Sequence, residues 1–217
     1  VTAAGALCRM YPDDGPHLIY VPERPFTKKQ FLDDVQRVYQ KHGRCIVAVS
    51  EGIQDKNHRP IAEQFSGGEK DSPGNVQLSG TGALGDLLSS WVKTGTKITR
   101  VRADTLGYLQ RSFLGCVSEV DQAEAREVGE KAAQYAIWHN LAGSVAIPRT
   151  GDYAVEYQLT KLENVARKSG LMPAKYINKQ GNDTTDAFKK YARPLIGTVP
   201  PVMRLSAPKV KKVLKIK

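Results

Sequence analysis

Cys45-Ile46-Val47-Ala48-Val49-Ser50-Glu51-Gly52 is the stretch that decides the fold class of this chain. From Cys45 to Ser50 it reads as a continuous apolar strand, the pattern of a sheet covered on both faces. Ahead of it Gly43 stops a helix whose apolar residues Phe31, Leu32, Val35, Val38 and Tyr39 share one side. Thr27 is placed to cap that helix, with Gln30 at the third position completing a capping box. Further back, Leu18-Ile19-Tyr20-Val21 reads as a short strand ending at Pro22-Glu23. Thr2 to Met10 reads as a helix broken by Tyr11-Pro12-Asp13-Asp14-Gly15-Pro16. Strands alternating with helices predict an α/β architecture with a parallel sheet. Glu51 then stands at the carboxyl edge of that sheet, where open α/β sheets bind ligands.

The pattern continues downstream. Gly52 to Gly82 is polar and glycine-rich, and reads as an excursion loop. It lacks the Lys-Ser/Thr ending of a phosphate-binding P-loop and does not join a strand directly to a helix. Leu84, Leu87, Leu88 and Trp91 mark a short amphipathic helix, and Ile98-Thr99-Arg100-Val101-Arg102 a strand. Ser118 with Asp121 opens a long helix reaching about Asn140, with Val120, Ala125, Val128, Ala132, Ala136 and Trp138 as expected core positions. Ser144-Val145-Ala146-Ile147 and Tyr153-Ala154-Val155-Glu156-Tyr157 read as further strands.

The chemistry concentrates in Arg102-Ala103-Asp104-Thr105-Leu106-Gly107-Tyr108-Leu109-Gln110-Arg111. An arginine fork chelates phosphate oxygens through two parallel charge-assisted bonds. A carboxylate such as Glu51 accepts hydrogen bonds from sugar hydroxyls. Tyr108 and Arg111 are three residues apart, so in a helical turn they face one side and reach a single phosphate. Together these residues describe a receptor for a phosphorylated polyol.

Ala48-Val49-Ser50-Glu51-Gly52 and the segment Arg102 to Phe113 resemble the phosphofructokinase family, specifically its pyrophosphate-dependent bacterial branch, in which tyrosine replaces histidine in the sugar-phosphate motif. The resemblance implies parts of two doubly wound αβα sandwich domains with the sugar-phosphate site in the cleft between them. Residues 1–106 would form most of the sugar-phosphate-binding domain, 107–150 a returning part of the phosphoryl-donor domain, and 151–217 a C-terminal extension and basic tail. It assigns Glu51 to the hydroxyls of fructose 6-phosphate and Tyr108, Leu109, Gln110 and Arg111 to its 6-phosphate. Arg102 would reach the sugar phosphate in a neighbouring subunit, which implies a homo-oligomer. The family's Gly-Gly-Asp, Thr-Ile-Asp-Asn-Asp and Met-Gly-Arg segments do not occur in this sequence, so the chain is expected to be roughly the C-terminal half of a longer protein. The catalytic aspartate and most of the Mg2+ site are then expected upstream, and the isolated chain is expected to be inactive. The implied reaction is phosphoryl transfer from pyrophosphate to fructose 6-phosphate in glycolysis. An ATP-dependent enzyme and a nonenzymatic sugar-phosphate-binding or regulatory subunit remain as alternatives.

Composition narrows the partners. The chain has 217 residues and a formal net charge of +10, with mean hydropathy -0.40. Arg204, Lys209, Lys211, Lys212, Lys215 and Lys217 supply six of the positive charges with no acid among residues 202–217. The body is therefore only mildly basic, and neither nucleic acid nor a membrane is expected as a partner. The tail reads as a solvated or surface-docked terminus. No apolar run approaches the roughly 18 residues of a membrane span. Cys8, Cys45 and Cys116 are scattered without framework spacing, which suggests a reducing compartment, and the expected location is the cytoplasm. Cys45 opens a buried-looking strand and Cys8 lies on an apolar helix, where a free thiol is expected to act as a small hydrophobe. His17, His42, His58 and His139 are dispersed without the spacing of a helical metal site.

Overall fold

The computed structural model describes residues 1–64, 83–107, 112–168, 170–197 and 199–205. Its centre is a strand, β1 (Leu18–Tyr20), paired in parallel with β2 (Val47–Val49) in the register Leu18↔Val47, Ile19↔Ala48 and Tyr20↔Val49. Successive side chains of a strand point to opposite faces. Leu18 and Tyr20 enter one hydrophobic core, and Ile19 and Val21 enter a second on the other side.

The first core is closed by helix α1 (Lys28–His42) and helix α2 (Ala83–Gly95). Thr27 caps α1 as expected, its hydroxyl accepting the Gln30 amide at 3.3 Å. Gly43 ends the helix in the left-handed region at φ 66, a conformation glycine adopts without a Cβ clash, and its amide donates to the Tyr39 carbonyl. Phe31, Val35 and Val38 are buried against Tyr20, Phe26 and Ile53, whereas Leu32 is only partly covered and Tyr39 is exposed. Tyr20, Phe26 and Phe31 form an aromatic cluster with centroids 5.0 to 5.8 Å apart.

The second core lies between the opening 3-10 helix (Thr2–Cys8) and the late part of the chain. Ala3, Ala6 and Leu7 meet Ile177, Phe188 and Ala192 there, the last two from a helix spanning Asp186–Ile196. Helices thus cover both faces of the parallel pair, the layering of an α/β sandwich.

Several local expectations are corrected. The opening helix is a 3-10 helix that stops at Cys8, and the Cys8 thiol is exposed instead of buried. β2 has cores on both sides but is only half-buried, because β1 is its sole strand partner among the described residues. Residues 98–102 form no strand. They have no strand partner among the described residues, and Ile98 and Val101 rest against the first core. The long helix, α3 (Glu119–His139), is capped by Ser118, whose hydroxyl accepts the Asp121 amide at 3.2 Å. It buries none of its residues, and Trp138 is 69% exposed. Its apolar positions are core positions only if another surface covers them.

Beyond α3, β3 (Ser144–Ala146) pairs with β6 (Gln158–Thr160), and β4 (Arg149–Gly151) with β5 (Ala154–Val155), both antiparallel. Arg149 fixes this second hairpin to the helix Asp186–Ile196, here named α4. Its guanidinium donates to the Tyr191 carbonyl and lies 5.2 and 5.0 Å from the ring centroids of Tyr153 and Tyr191.

Candidate functional site

Glu51 occupies the turn that leaves β2, at the carboxyl edge of the parallel pair, as the sequence predicts. The turn is seated by a chain of hydrogen bonds. The Ser50 amide donates to the Tyr20 carbonyl at 3.0 Å and the Ile53 amide to the Ser50 carbonyl at 3.2 Å. The Gln54 side chain donates to the Pro22 carbonyl at 3.0 Å, and the Phe26 amide donates to the Gln54 carbonyl at 2.8 Å. Ile53 is completely buried in the first core. Gly52 passes so near the end of β1 that a Cβ there would lie 3.3 Å from Pro22 Cγ. The Glu51 carboxylate, half-buried, therefore stands on a backbone braced from beneath and from the side.

Glu23 marks the corresponding end of β1, and its Oε1 accepts the Met172 amide at 3.1 Å. Arg102 is exposed on the irregular segment that follows α2. That segment lies tight against the start of α2, since a Cβ on Gly85 would come within 2.9 Å of Ala103 Cβ. Gly107 turns with φ 54 immediately ahead of Tyr108. Tyr108, Leu109, Gln110 and Arg111 lie outside the described residues.

The opposite edge of the sheet carries a different cluster. A cavity of about 230 Å³ is lined there by Arg9, Asp14, His17, Lys41, His42 and Asp183 among others. Its charges are largely consumed internally. Arg9 holds Asp183 in two parallel bonds of 2.9 and 3.0 Å, and Arg204 bonds to both Asp13 and Asp14 while stacking 4.1 Å from the Tyr11 ring centroid. Arg204, the first basic residue of the C-terminal run, is thus surface-docked, whereas residues 206–217 lie outside the described residues. His17 accepts the Ile46 amide through Nδ1 at 2.9 Å and is held below its usual pKa, chiefly by burial and then by His42. Lying at the amino ends of β1 and β2, this cluster is on the wrong edge for the ligand site of an open α/β sheet.

Sequence reasoning missed one buried group near the Glu51 turn. Asp34 sits on the apolar side of α1 and is 8% exposed, with Tyr20, Asn182 and Arg37 as hydrogen-bond donors. The signal was present: an acid three residues after Phe31 and one before Val35, on the stripe that faces the core.

Among the described residues no group of three or more His, Cys, Asp and Glu side chains is placed to hold a cation. Among the same residues no helix is long and apolar enough to cross a membrane.

The phosphofructokinase family profile matches residues 6–136, more than half of the chain and inclusive of Glu51 and the Arg102 to Arg111 motif. The chain belongs to the phosphofructokinase family. The pyrophosphate–fructose 6-phosphate 1-phosphotransferase of Rhodospirillum rubrum is 58% identical over 99% of this chain and 54% of its own length. The enzyme of the same name from Xanthomonas campestris is 34% identical over 90% of the chain and 46% of its own length. The solved structure of a pyrophosphate-dependent phosphofructokinase from Marinobacter aquaeolei superposes with a TM-score of 0.70 at 25% identity, over 99% of this chain and 52% of that one. The chain thus spans about half the length of the curated relatives it matches. The fold is accordingly α/β and phosphofructokinase-like, as expected.

Proposed function

We propose that this chain supplies the sugar-phosphate-binding half of an enzyme that transfers a phosphoryl group from pyrophosphate to the 1-hydroxyl of fructose 6-phosphate, giving fructose 1,6-bisphosphate and phosphate. The observation that carries the reading is the braced Glu51 carboxylate at the carboxyl edge of the parallel pair, within a chain 58% identical to a protein of that name. Glu51 accepts hydroxyl protons of the sugar in hydrogen bonds and orients it. Tyr108 and Arg111, with Leu109 and Gln110 between them, hold the 6-phosphate. Arg102, exposed on its irregular segment, reaches the sugar phosphate of a neighbouring subunit in a homo-oligomer.

Positioning is only part of such a reaction, which also needs a base for the attacking hydroxyl and cations to neutralise the transferred group. The base is assigned to an aspartate on a preceding segment of the complete protein. Mg2+, bound there as well, would supply the charge neutralisation. The large uncovered side chains of α3, Ile137 at 76% and Trp138 at 69% exposure, support a partner segment packing on that helix. In this arrangement residues 1–106 form most of the sugar-phosphate domain, residues 107–150 return to the donor domain, and residues 151–217 form the C-terminal extension and basic tail. The reaction belongs to glycolysis in the cytoplasm.

The test is a coupled assay of the complete protein with fructose 6-phosphate and either pyrophosphate or ATP, beside this chain alone. Turnover with pyrophosphate by the complete protein and none by the chain alone is expected. Turnover with ATP only would reassign the donor. Saturable fructose 6-phosphate binding without turnover under any donor would make the protein a binding subunit.

A further inference from the structure

Three donors converge on the buried Asp34 carboxylate. Tyr20 Oη donates to Oδ2 at 2.9 Å, Asn182 Nδ2 donates to the same oxygen at 2.7 Å, and the Arg37 guanidinium donates to Oδ1. Hydrogen bonds to an ionised acceptor are roughly twice as strong as neutral ones, and a shared acceptor fixes its donors relative to each other. Tyr20 stays a donor across the physiological range, because burial and then the neighbouring Asp34 charge push its phenol far above the ordinary value. A buried charged network is a costly way to fill space, since apolar side chains of similar volume generally serve stability as well. What it does supply is a fixed geometry among the segments it joins.

Those segments meet beneath the Glu51 turn. Tyr20 is the last residue of β1, its carbonyl accepts the Ser50 amide at 3.0 Å, and its ring lies in the same core as Ile53. Asn182 joins β1 as well as α1, because its carbonyl accepts the Ile19 amide at 2.8 Å. Its own amide donates to Asn178 Oδ1 at 3.0 Å, and Gln30 of α1 reaches the Gln180 carbonyl at 2.7 Å. Asp34 therefore locks α1, β1 and the loop 178–184 together at the point from which the turn 50–53 hangs.

We propose that Asp34, Tyr20 and Asn182 are positioning residues for Glu51, setting where its carboxylate meets the sugar hydroxyls through the Tyr20 carbonyl and the Tyr20 ring. The proposal rests on the role given to Glu51 above. None of the three side chains is required to touch the substrate, and the loop 178–184 becomes part of the sugar site although it follows Glu51 by well over a hundred residues.

The experiment uses Tyr20→Phe, which keeps the ring and removes only the hydroxyl, and Asp34→Asn, which keeps an acceptor oxygen, both in the complete protein. Amide hydrogen exchange is read at Ser50, with Thr96 of the α2 end as a reference whose amide bonds to the Val92 carbonyl. Fructose 6-phosphate affinity is read by calorimetry. Tyr20→Phe is expected to speed exchange at Ser50 and not at Thr96, and to weaken sugar binding severalfold, up to a ceiling of about tenfold set by the one internal charge-assisted hydrogen bond it removes. Asp34→Asn, which removes the charge from all three bonds and turns an amide N–H toward one of the donors, should exceed Tyr20→Phe in both readouts. Equal acceleration at Ser50 and Thr96 would show general loosening and overturn the proposal. So would faster Ser50 exchange with unchanged sugar affinity, or no change in either. If the unsubstituted protein binds no fructose 6-phosphate, the functional reading of Glu51 fails and the proposal with it. Exchange at Ser50 would then separately report whether the network braces the turn.

Discussion

Ile53 offers the sharpest test of how the Glu51 turn is held. It is completely buried, two residues past Glu51, and packs in the first core with Tyr20, Phe26 and Phe31. Ile53→Ala removes three carbon atoms. At about 0.8 kcal/mol per buried carbon the transfer loss alone is about 2.4 kcal/mol. The void left among the aromatic rings adds to this, which places the total at about 3–4 kcal/mol, inside the usual span for such truncations. For a chain of this size about 1 kcal/mol moves the melting temperature by roughly 2–4 °C, so a fall of roughly 6–16 °C is expected. Ile53→Val should cost only about 0.5–1.5 kcal/mol. Ile46→Ala is the control, because that side chain is 52% exposed and its loss should be nearly silent. Scanning calorimetry or circular dichroism melts at fixed concentration measure all three. If Ile53→Ala melts within about 2 °C of the unsubstituted chain, or no lower than Ile46→Ala, the turn is not anchored in the core and the account of its rigidity fails.

Arg111→Ala is expected to raise KM for fructose 6-phosphate at least ~tenfold, since a charge-assisted phosphate contact is worth about 1.5–3 kcal/mol; lost affinity for pyrophosphate instead would mean the wrong ligand was assigned. Glu51→Gln should weaken sugar binding while the basic limb of the kcat profile persists, whereas loss of that limb would make Glu51 the base. The Arg204 side chain holds the Asp13 carboxyl below its ordinary value, and backbone bonds from Tyr11 and Met10, with Arg204, do the same for Asp14. Both contributions are complete above the ordinary carboxylate value of about 3.9 and fade as the pH drops through the lowered values; NMR titration of Arg204→Ala should show Asp13 shifted upward, and an unmoved Asp13 would refute the clasp. Burial pushes the Cys45 thiol up to about 11, while Cys8 and Cys116 are exposed. A disulfide reagent at neutral pH should therefore modify those two first, and early modification of Cys45 would contradict the packing.

The β1, α1, β2 unit was legible because its signals are local. The Thr27 cap, the Gly43 stop and the apolar run of β2 each act within a few residues, and Glu51 follows from them as the strand-end acid. Tertiary context decided the rest. Val101 and Arg102 have the composition of a strand, yet a strand exists only where a neighbour supplies hydrogen bonds. The α3 pattern correctly marked a helix and its cap but could not say what covers its apolar side, since burial belongs to the pair of surfaces. Asp34 was passed over because the partners that make a buried acid tolerable, Tyr20 and Asn182, are 14 and 148 residues away.

The two cores flanking β1 mature at different moments in the life of the polypeptide. Among the described residues the first draws on none beyond Val101, so it can close soon after that residue clears the ribosome. The second waits for Ile177, Phe188 and Ala192. Between these events lie roughly 90 residues of synthesis, on the order of ten seconds at ordinary elongation rates. Throughout that interval Ile19 and Val21 have only the Ala3, Ala6 and Leu7 side of their core, and the Ile19 amide still lacks the Asn182 carbonyl that will occupy it. A half-finished sheet with one incompletely covered face and an open hydrogen-bonding edge is the kind of surface that adheres to other nascent chains. The late loop 178–184 and helix α4 end that exposure, so the most vulnerable period of this chain is set by how far apart its sequence places the two sides of a single strand.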